Sequence, residues 1–173
     1  MNSGSDYDII NPPKVSVADS MGTDAVLYGQ FTGKIEDAIL TNAGFNYGTG
    51  DFTIECWVYF SYSLGGGGAY RYIVAQGANT NDGCGIYIQG NNYKFWAAGA
   101  AVLDGTASGT QHQLDTWQHV AVSRSGTTIK MFVNGVEAAS ATNSSNIQTG
   151  SSHGLTIARW HEISDSSYYI GYI

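Results

Sequence analysis

The sequence predicts an all-β protein built from two antiparallel sheets packed face to face. Over residues 127–133 the apolar side chains recur with a period of two, which indicates a half-buried strand. The Asn134-Gly135 pair that follows favours a type I′ turn, in which both central residues need positive φ. The composition agrees, because 23 glycines and 12 tyrosines beside only 2 prolines are typical of strands joined by many turns.

Strands are predicted where apolar runs lie between turns rich in glycine, asparagine or serine. In chain order they are Val15–Ala18, Ala25–Phe31, Lys34–Leu40, Phe52–Phe60, Tyr70–Gln76, Cys84–Gln89, Tyr93–Ala97, Trp117–Arg124, Thr127–Val133, Val136–Ser140, Leu155–Arg159 and Tyr168–Ile173. Residues 98–112 are small and polar, so a long loop is predicted there, anchored by Val102 and Leu103. Roughly a dozen short strands indicate a β-sandwich or barrel, and two packed sheets fit best.

The strand Phe52–Phe60 carries bulky side chains on both of its faces. One face holds Ile54, Cys56, Val58 and Phe60, and the other holds Thr53, Glu55, Trp57 and Tyr59. The strand is therefore predicted either to be central and covered, or to line a groove with its second face. His119 is predicted to lie on the side of Glu55, and a packed structural histidine is favoured over an acid–base pair.

Composition and charge exclude several classes of function. The net charge is −7 and the seven basic residues are scattered, so a nucleic-acid partner is not expected. No stretch approaches the 18 apolar residues of a membrane span. The first ten residues lack the basic and apolar regions of a signal peptide, although phage particle proteins act outside the host without one.

Cys56 and Cys84 are the two cysteines of the chain. Both lie in strands with an apolar pattern, so buried free thiols are the simpler interpretation and a single disulfide is the alternative. Their spacing does not suggest a zinc site.

Four stretches resemble the laminin G-like group of concanavalin A-like lectin/glucanase domains. They are FTIECWVYF at 52–60, WQHVAVSRSGTTIKMFVNGV at 117–136, LTIAR at 155–159 and YYIGYI at 168–173. The resemblance implies a jelly-roll β-sandwich. It does not imply one function, because this fold carries many activities.

The resemblance also suggests how the chain is divided. Residues 46–173 are predicted to form the sandwich, and residues 1–45 a β-rich segment that precedes it or contributes to it. That segment resembles elements of structural proteins of marine tailed phages, so we expect a virion or another extracellular surface. Sequences of the family continue with a further strand after the position at which this chain stops. We therefore expect a truncated sandwich, and homo-oligomers formed through the sheet edge that is left open.

Other relatives of this fold give three further expectations. Retaining β-glucanases carry E-x-D-x-x-E on one strand, and that string is absent, so an enzyme is not expected and a degenerate glycosidase is the remote alternative. Some relatives bind calcium at the rim, for which Asp82 and Asp104 are the candidate ligands. The cysteine bridge of pentraxins is not expected, because residues 117–124 contain no cysteine.

Aromatic residues near loops give the best argument for binding, because sugar rings stack on aromatic faces while amides bind the hydroxyls. The candidate ligand-binding residues are Trp160, Tyr70, Tyr93, Tyr168, His161 and Asn92. The predicted function is a non-catalytic, lectin-like carbohydrate-binding or adhesion module of a larger particle or surface protein. The alternative is a structural spacer of a phage virion that binds only neighbouring structural proteins.

Overall fold

A computed structural model of the protein describes residues 30–32, 47–60, 70–76, 83–147, 155–158 and 170–173. These segments contain eleven strands and no helix. The strands are β1 (Gln30–Thr32), β2 (Phe52–Phe60), β3 (Tyr70–Gln76), β4 (Cys84–Gln89), β5 (Asn92–Ala97), β6 (Ala100–Asp104), β7 (Trp117–Ser125), β8 (Thr128–Val133), β9 (Val136–Thr142), β10 (Leu155–Ile157) and β11 (Ile170–Tyr172).

The strands form two antiparallel sheets, which confirms the predicted fold class. The six-stranded sheet has the order β1-β11-β2-β7-β8-β9, and the five-stranded sheet has the order β10-β3-β4-β5-β6. On one side of the sandwich the segment after β6 joins the two sheets, since the Ala107 N–H donates to the Ala138 carbonyl over 3.4 Å. Among the described residues no helix is long and apolar enough to cross a membrane.

The core lies between the sheets and is formed by alternate residues of the central strands. From the six-stranded sheet it takes Phe52, Val58, Phe60, Val120, Val122, Ile129, Met131 and Val133. From the five-stranded sheet it takes Ile73, Cys84, Ile86, Ile88, Tyr93, Phe95, Ala97 and Leu103. Burial of these side chains at roughly 1.5–3 kcal/mol each supplies the main driving force for folding. The intervening residues consequently point outward and make up the two outer faces.

The backbone conformations of the two turns that flank β8 depend on their glycine residues. Asn134 and Gly135 have φ of 50° and 79°, so the predicted type I′ turn is confirmed. The turn between β7 and β8 is Gly126-Thr127, one residue later than predicted, because Ser125 still pairs with Thr128. Gly126, with φ of 59°, provides the positive φ at the first central position of this turn.

The predicted strands Phe52–Phe60, Tyr70–Gln76 and Cys84–Gln89 are confirmed at their bounds. The prediction of a loop over residues 98–112 is wrong at its start, where Ala100–Asp104 pairs with β5 as β6. Leu103 is buried there, so the apolar pair read as a loop anchor belongs to an edge strand. The predicted strands Val15–Ala18 and Lys34–Leu40 lie outside the described residues.

The last strand is not an open edge in its described part. β11 pairs with β1 on one side and with β2 on the other. The open edge expected at this place is therefore not found over Ile170–Tyr172. Gln30–Thr32, from the segment before residue 46, supplies one of these two neighbours, while the oligomeric state stays a prediction.

The inward face of β7 has a polar residue at each end. Gln118 and Arg124, 1 % and 3 % exposed, flank Val120 and Val122. The Gln118 amide accepts from the Tyr93 hydroxyl and the Gln113 N–H, both at 2.8 Å, and donates to the Gln111 carbonyl at 3.0 Å. It thereby fastens the segment before β7 to the core.

At the other end of β7, the Arg124 guanidinium binds three backbone carbonyls. Its Nε donates to Gly126 over 3.0 Å, and one terminal nitrogen donates to Ser145 over 2.9 Å and to Gly48 over 3.4 Å. Gly48 and Ile147 also pair as an isolated bridge. Arg124 therefore holds three chain segments together around a buried cation.

Both cysteines are free thiols. Burial raises the pKa of the Cys84 thiol from 9.0 to about 12. For Cys56, burial and secondarily the charge of Glu55 raise the thiol pKa to about 12 as well. Folding therefore disfavours the thiolate of both residues.

We expect both thiols to resist iodoacetamide at pH 8 in the folded protein and to react rapidly in denaturant. A pKa increase of about three units lowers the thiolate fraction roughly a thousandfold, and the thiolate is the reactive form. Mass spectrometry of alkylated protein with and without urea measures this difference. Equal alkylation rates in the two states would contradict the burial of the thiols.

Candidate functional site: a tyrosine face on the five-stranded sheet

Three tyrosines meet on the outer face of the five-stranded sheet. Tyr72 and Tyr87 are paired across β3 and β4, and their ring centroids are 5.3 Å apart. Tyr70 lies two residues before Tyr72, 5.5 Å from the Tyr87 ring and 6.4 Å from the Tyr72 ring. The rings of Tyr70 and Tyr72 are inclined by only 18°, so they are nearly parallel. We call Tyr70, Tyr72 and Tyr87 the tyrosine face.

The tyrosines differ in how far they reach into solvent. Tyr70 is 44 % exposed, Tyr72 is half-buried, and Tyr87 is only 5 % exposed. Tyr87 lies between Ile86 and Ile88, which both point into the core, so alternation along β4 directs its ring outward. The result is a supported aromatic surface whose outermost ring is Tyr70.

Polar side chains continue the tyrosine face across β4, β5 and β6. Tyr87 pairs with Lys94, and Lys94 pairs with Asp104. In the neighbouring row Tyr70 pairs with Gln89, which pairs with Asn92. We call Gln89, Asn92, Lys94 and Asp104 the polar strip.

Asp104 is the centre of the hydrogen bonds within the polar strip. Lys94 Nζ lies 2.8 Å from Asp104 Oδ2, and Asn92 Nδ2 donates to Asp104 Oδ1 over 2.9 Å. Cross-strand pairing places the three side chains side by side, because Lys94 opposes Asp104 directly. The strip therefore offers an amide, an ammonium group and a carboxylate in fixed positions.

The phenols of Tyr72 and Tyr87 stay protonated at neutral pH. Burial, then the neighbouring Tyr70 and Asp104, raise the pKa of Tyr87 to about 12. Burial and the Tyr87 and Tyr70 hydroxyls raise the pKa of Tyr72 as well. A neutral phenol both donates and accepts a hydrogen bond, which suits a hydroxyl-rich ligand.

Trp96 closes the face on its other side, where it lies over a glycine. Gly85 pairs with Trp96 across β4 and β5. A Cβ at Gly85 would come within 2.6 Å of Trp96 Nε1 and 3.0 Å of the Val74 carbonyl oxygen. Glycine at this position consequently allows the indole to lie against the sheet, where Trp96 is only 7 % exposed.

The structure brings three of the predicted site residues to this one face. Tyr70 belongs to the tyrosine face, and Asn92 and Asp104 belong to the polar strip. Trp160, His161, Tyr168 and Asp82 lie outside the described residues, so their part in the site stays a prediction.

The candidate Tyr93 is corrected by its burial. It is 0 % exposed and lies in the core, where its hydroxyl donates to Gln118 over 2.8 Å. The sequence placed it beside a turn, but alternation along β5 directs Tyr93 inward while Asn92 and Lys94 point outward. Its ring cannot stack on a surface ligand.

Tyr72 and Tyr87 were not among the site residues predicted from the sequence. Tyr87 could have been found by alternation, because it stands between two isoleucines in a predicted strand. Tyr72 could have been found in the same way, because it lies two residues after the candidate Tyr70 in a predicted strand, and alternate residues of a strand share a face.

Asp104 has no cluster of further metal ligands around it in the described segments. Its carboxylate is occupied by Lys94 and Asn92, and no group of three His, Cys, Asp or Glu side chains is found within those segments. Calcium binding therefore stays a prediction, with Asp82 lying beyond the described residues.

A second exposed aromatic surface lies on the outer face of the six-stranded sheet. Trp57 is 57 % exposed and Trp117 is 38 % exposed. The second face of β2, for which covering or a groove was predicted, is therefore exposed rather than covered. His119 Nε2 lies 3.5 Å from Glu55 Oε2 and its ring packs against Trp57, so the predicted neighbourhood of His119 and Glu55 is confirmed.

A profile of a laminin G-type family, described as the concanavalin A-like lectin/glucanases superfamily, matches residues 32–173. Among solved structures, a proposed carbohydrate-binding protein from Bacteroides ovatus superposes with a TM-score of 0.56 at 17 % identity. That match covers 72 % of this chain and 36 % of the other. No curated protein sequence matches.

Domains LG4-5 of the mouse laminin alpha1 chain superpose equally well. The TM-score is 0.56 at 13 % identity, and the match covers 86 % of this chain and 40 % of the other. The chain therefore spans about two fifths or less of either structure. At these identities both likenesses bear on the fold alone.

Proposed function

Because the chain belongs to the concanavalin A-like lectin/glucanase superfamily, a fold with many activities, its function must be argued from its own surface. We propose that it is a non-catalytic carbohydrate-binding module that binds glycans on the tyrosine face. The observation that carries the proposal is the contact of the near-parallel Tyr70 and Tyr72 rings with Tyr87, continued by the polar strip. The likeness to a proposed carbohydrate-binding protein supports it at the level of the fold.

The two parts of the site match the two kinds of surface of a sugar. The apolar C–H face of a pyranose ring stacks on an aromatic ring, and Tyr70 offers such a ring at 44 % exposure. The hydroxyl groups at the edge of the sugar need both donors and acceptors, which Gln89, Asn92 and Lys94 supply within the next two strands. Tyr72, inclined by 18° to Tyr70, extends the platform along β3.

The charges of the site favour a neutral glycan. The ammonium group of Lys94 is neutralised by Asp104 at 2.8 Å, so it does not attract an anionic sugar strongly. The chain as a whole carries a net charge of −7, which repels polyanions. Neutral polysaccharides are therefore the preferred ligand class.

A binding role rather than hydrolysis agrees with the chemistry of the polar strip. A retaining glycosidase needs two carboxyl groups about 5 Å apart, one of them a protonated acid. The strip contains a single carboxyl group, that of Asp104, which is paired with Lys94 over 2.8 Å and with Asn92 over 2.9 Å. We therefore propose attachment to glycans without their cleavage.

The setting proposed for this module is the surface of a particle or cell, as one part of a larger protein. Its similarity to only 36–40 % of two longer chains supports a modular role. A marine phage virion is the specific setting that the N-terminal resemblance suggests. Calcium at the rim is part of the same proposal.

A glycan array probed with the wild-type chain and with Tyr70→Ala and Tyr70→Phe tests the proposal. We expect specific binding to neutral glycans, weakened roughly tenfold or more in Tyr70→Ala because the outermost ring is lost. Tyr70→Phe retains the ring and is expected to keep most of the affinity. Arrays with calcium and with a chelator decide whether a metal contributes.

Trp57→Ala is the matched control, because it removes an exposed ring from the opposite sheet. Binding by all three variants at wild-type strength would place any glycan site elsewhere. If no glycan binds, with or without calcium, the alternative function is favoured, in which the chain is a structural spacer that binds only neighbouring proteins.

A further inference from the structure

The outer face of the six-stranded sheet carries a cluster of aromatic side chains that the proposed glycan site does not use. Tyr59 and Trp117 pair across β2 and β7, with ring centroids 5.5 Å apart. Tyr172 of β11 lies 5.7 Å from Tyr59 and 6.3 Å from Trp117. In the next row Trp57 packs on His119 at 5.3 Å. We call Trp57, Tyr59, Trp117 and Tyr172 the tryptophan face.

Carboxylates flank the tryptophan face. Glu55 lies two residues before Trp57 on the same side of β2, and its side chain is 61 % exposed. Asp115 accepts a hydrogen bond from the Tyr59 hydroxyl over 3.4 Å. Both side chains are therefore available beside aromatic rings, in a protein that already carries a net charge of −7.

On the outer face of this sheet, Lys130 is already paired in the part of the chain that the structure describes. Its Nζ lies 2.8 Å from Glu137 Oε2. Lys130 therefore adds no surplus of positive charge to the tryptophan face. The surface is thus aromatic and acidic, which is complementary to a partner that is both flat and cationic.

The geometry of the rings distinguishes this face from the tyrosine face. The Tyr59, Trp117 and Tyr172 rings are inclined to one another by 47–73°, whereas Tyr70 and Tyr72 differ by only 18°. Inclined rings do not make one platform for a sugar chain. The ring of Trp57, at 57 % exposure, instead offers a single π face on which an ammonium or guanidinium group can stack.

A second copy of the chain fits this face poorly. A two-fold interface brings the same surface of each protomer together, so it would join two surfaces that each carry Glu55 and Asp115. Like charges placed across an interface cost several kcal/mol. Burial of this face therefore calls for a partner of opposite charge.

We propose that the tryptophan face docks a basic segment of a partner protein, with arginine or lysine side chains stacked on Trp57 and Trp117 and paired with Glu55. Arginine stacks on aromatic rings and binds carboxylates in a fixed geometry, so it suits both features of this surface. Trp and Tyr are also the residues that carry most of the energy at interfaces. The module would then hold its neighbour on one sheet and its glycan on the other.

Fluorescence anisotropy with a labelled peptide of alternating arginine and serine tests this docking. A glutamate–serine peptide of equal length is the control probe. We expect the arginine peptide alone to bind, roughly tenfold more weakly to Trp57→Ala, more weakly to Glu55→Gln, and less at high salt. Tyr70→Ala, on the opposite sheet, is expected to bind as the wild type does.

Three results would overturn the proposal. One is equal binding of the two peptides, or binding that Trp57→Ala and Glu55→Gln leave unchanged. Another is glycan binding that is lost in Trp57→Ala and kept in Tyr70→Ala, which would make this the sugar site. The third is dimerisation in light scattering that Trp57→Ala abolishes. Circular dichroism of each variant checks that it is folded.

Discussion

Replacement of Arg124 by alanine is expected to lower the free energy of unfolding by about 3 kcal/mol. The guanidinium is 3 % exposed and donates to the carbonyls of Gly126, Ser145 and Gly48. Without it, three carbonyl groups lose a charged donor and a cavity remains at the end of β7. Urea unfolding followed by tryptophan fluorescence measures the loss as a lower midpoint at unchanged slope.

Lys130→Ala is the matched control for this prediction. Lys130 is a cation on the adjacent strand, but its pair with Glu137 is solvent-exposed, so a loss of about 0.5 kcal/mol or less is expected. Arg124→Lys is expected to fall between the two, because one ammonium group cannot span three carbonyls held by a planar fork. Equal urea midpoints for Arg124→Ala and Lys130→Ala would contradict the conclusion that Arg124 holds the three chain segments together.

Replacement of Gln118 by leucine is expected to lower the free energy of unfolding by about 3 kcal/mol. This loss is expected even though the leucine side chain is apolar and similar in size to that of glutamine. Gln118 is 1 % exposed and binds Tyr93, Gln113 and Gln111 with both atoms of its amide. Leucine would leave the buried Tyr93 hydroxyl and the part-buried Gln113 N–H and Gln111 carbonyl without this partner. The same urea titration measures the effect.

Two variants distinguish the contribution of the Gln118 hydrogen bonds to stability from that of ordinary side-chain packing. Tyr93→Phe removes one of the three hydrogen bonds and is expected to cost about 1 kcal/mol. Gln113→Ala changes an exposed side chain and is expected to stay within about 0.5 kcal/mol of the wild type. If Gln118→Leu were neutral, the segment before β7 would be held by other contacts.

Local patterns predicted the strands that pass through the middle of the sandwich. Phe52–Phe60 alternates without interruption, and the Asn134-Gly135 turn depends on two adjacent residues only. Such features are local, so the sequence contains them in readable form. β6 was missed because Ala100–Asp104 owes its extended form to pairing with β5, a contact that a run of small residues does not signal.

Part of the candidate site was predicted from the sequence, and there is a physical reason why the rest was not. Tyr70, Asn92 and Asp104 were chosen one by one, and cross-strand pairing through Gln89 and Lys94 brings them to one face. Tyr93 shares one face of β5 with Phe95 and Ala97, and that face points into the core. Its place beside a turn suggested exposure, but alternation with buried neighbours directs its ring inward.

The sequence by itself determined the class of fold, the family and the acidic net charge, because periodicity, motif order and composition are properties of the chain alone. Only the tertiary structure decided which aromatics are exposed, since that depends on which strands become neighbours. Trp57 and Tyr93 stand in equally apolar strands, yet one is 57 % exposed and the other is buried with its hydroxyl on Gln118. Pairing between distant segments, rather than local preference, assigned the two rings to solvent and to the core.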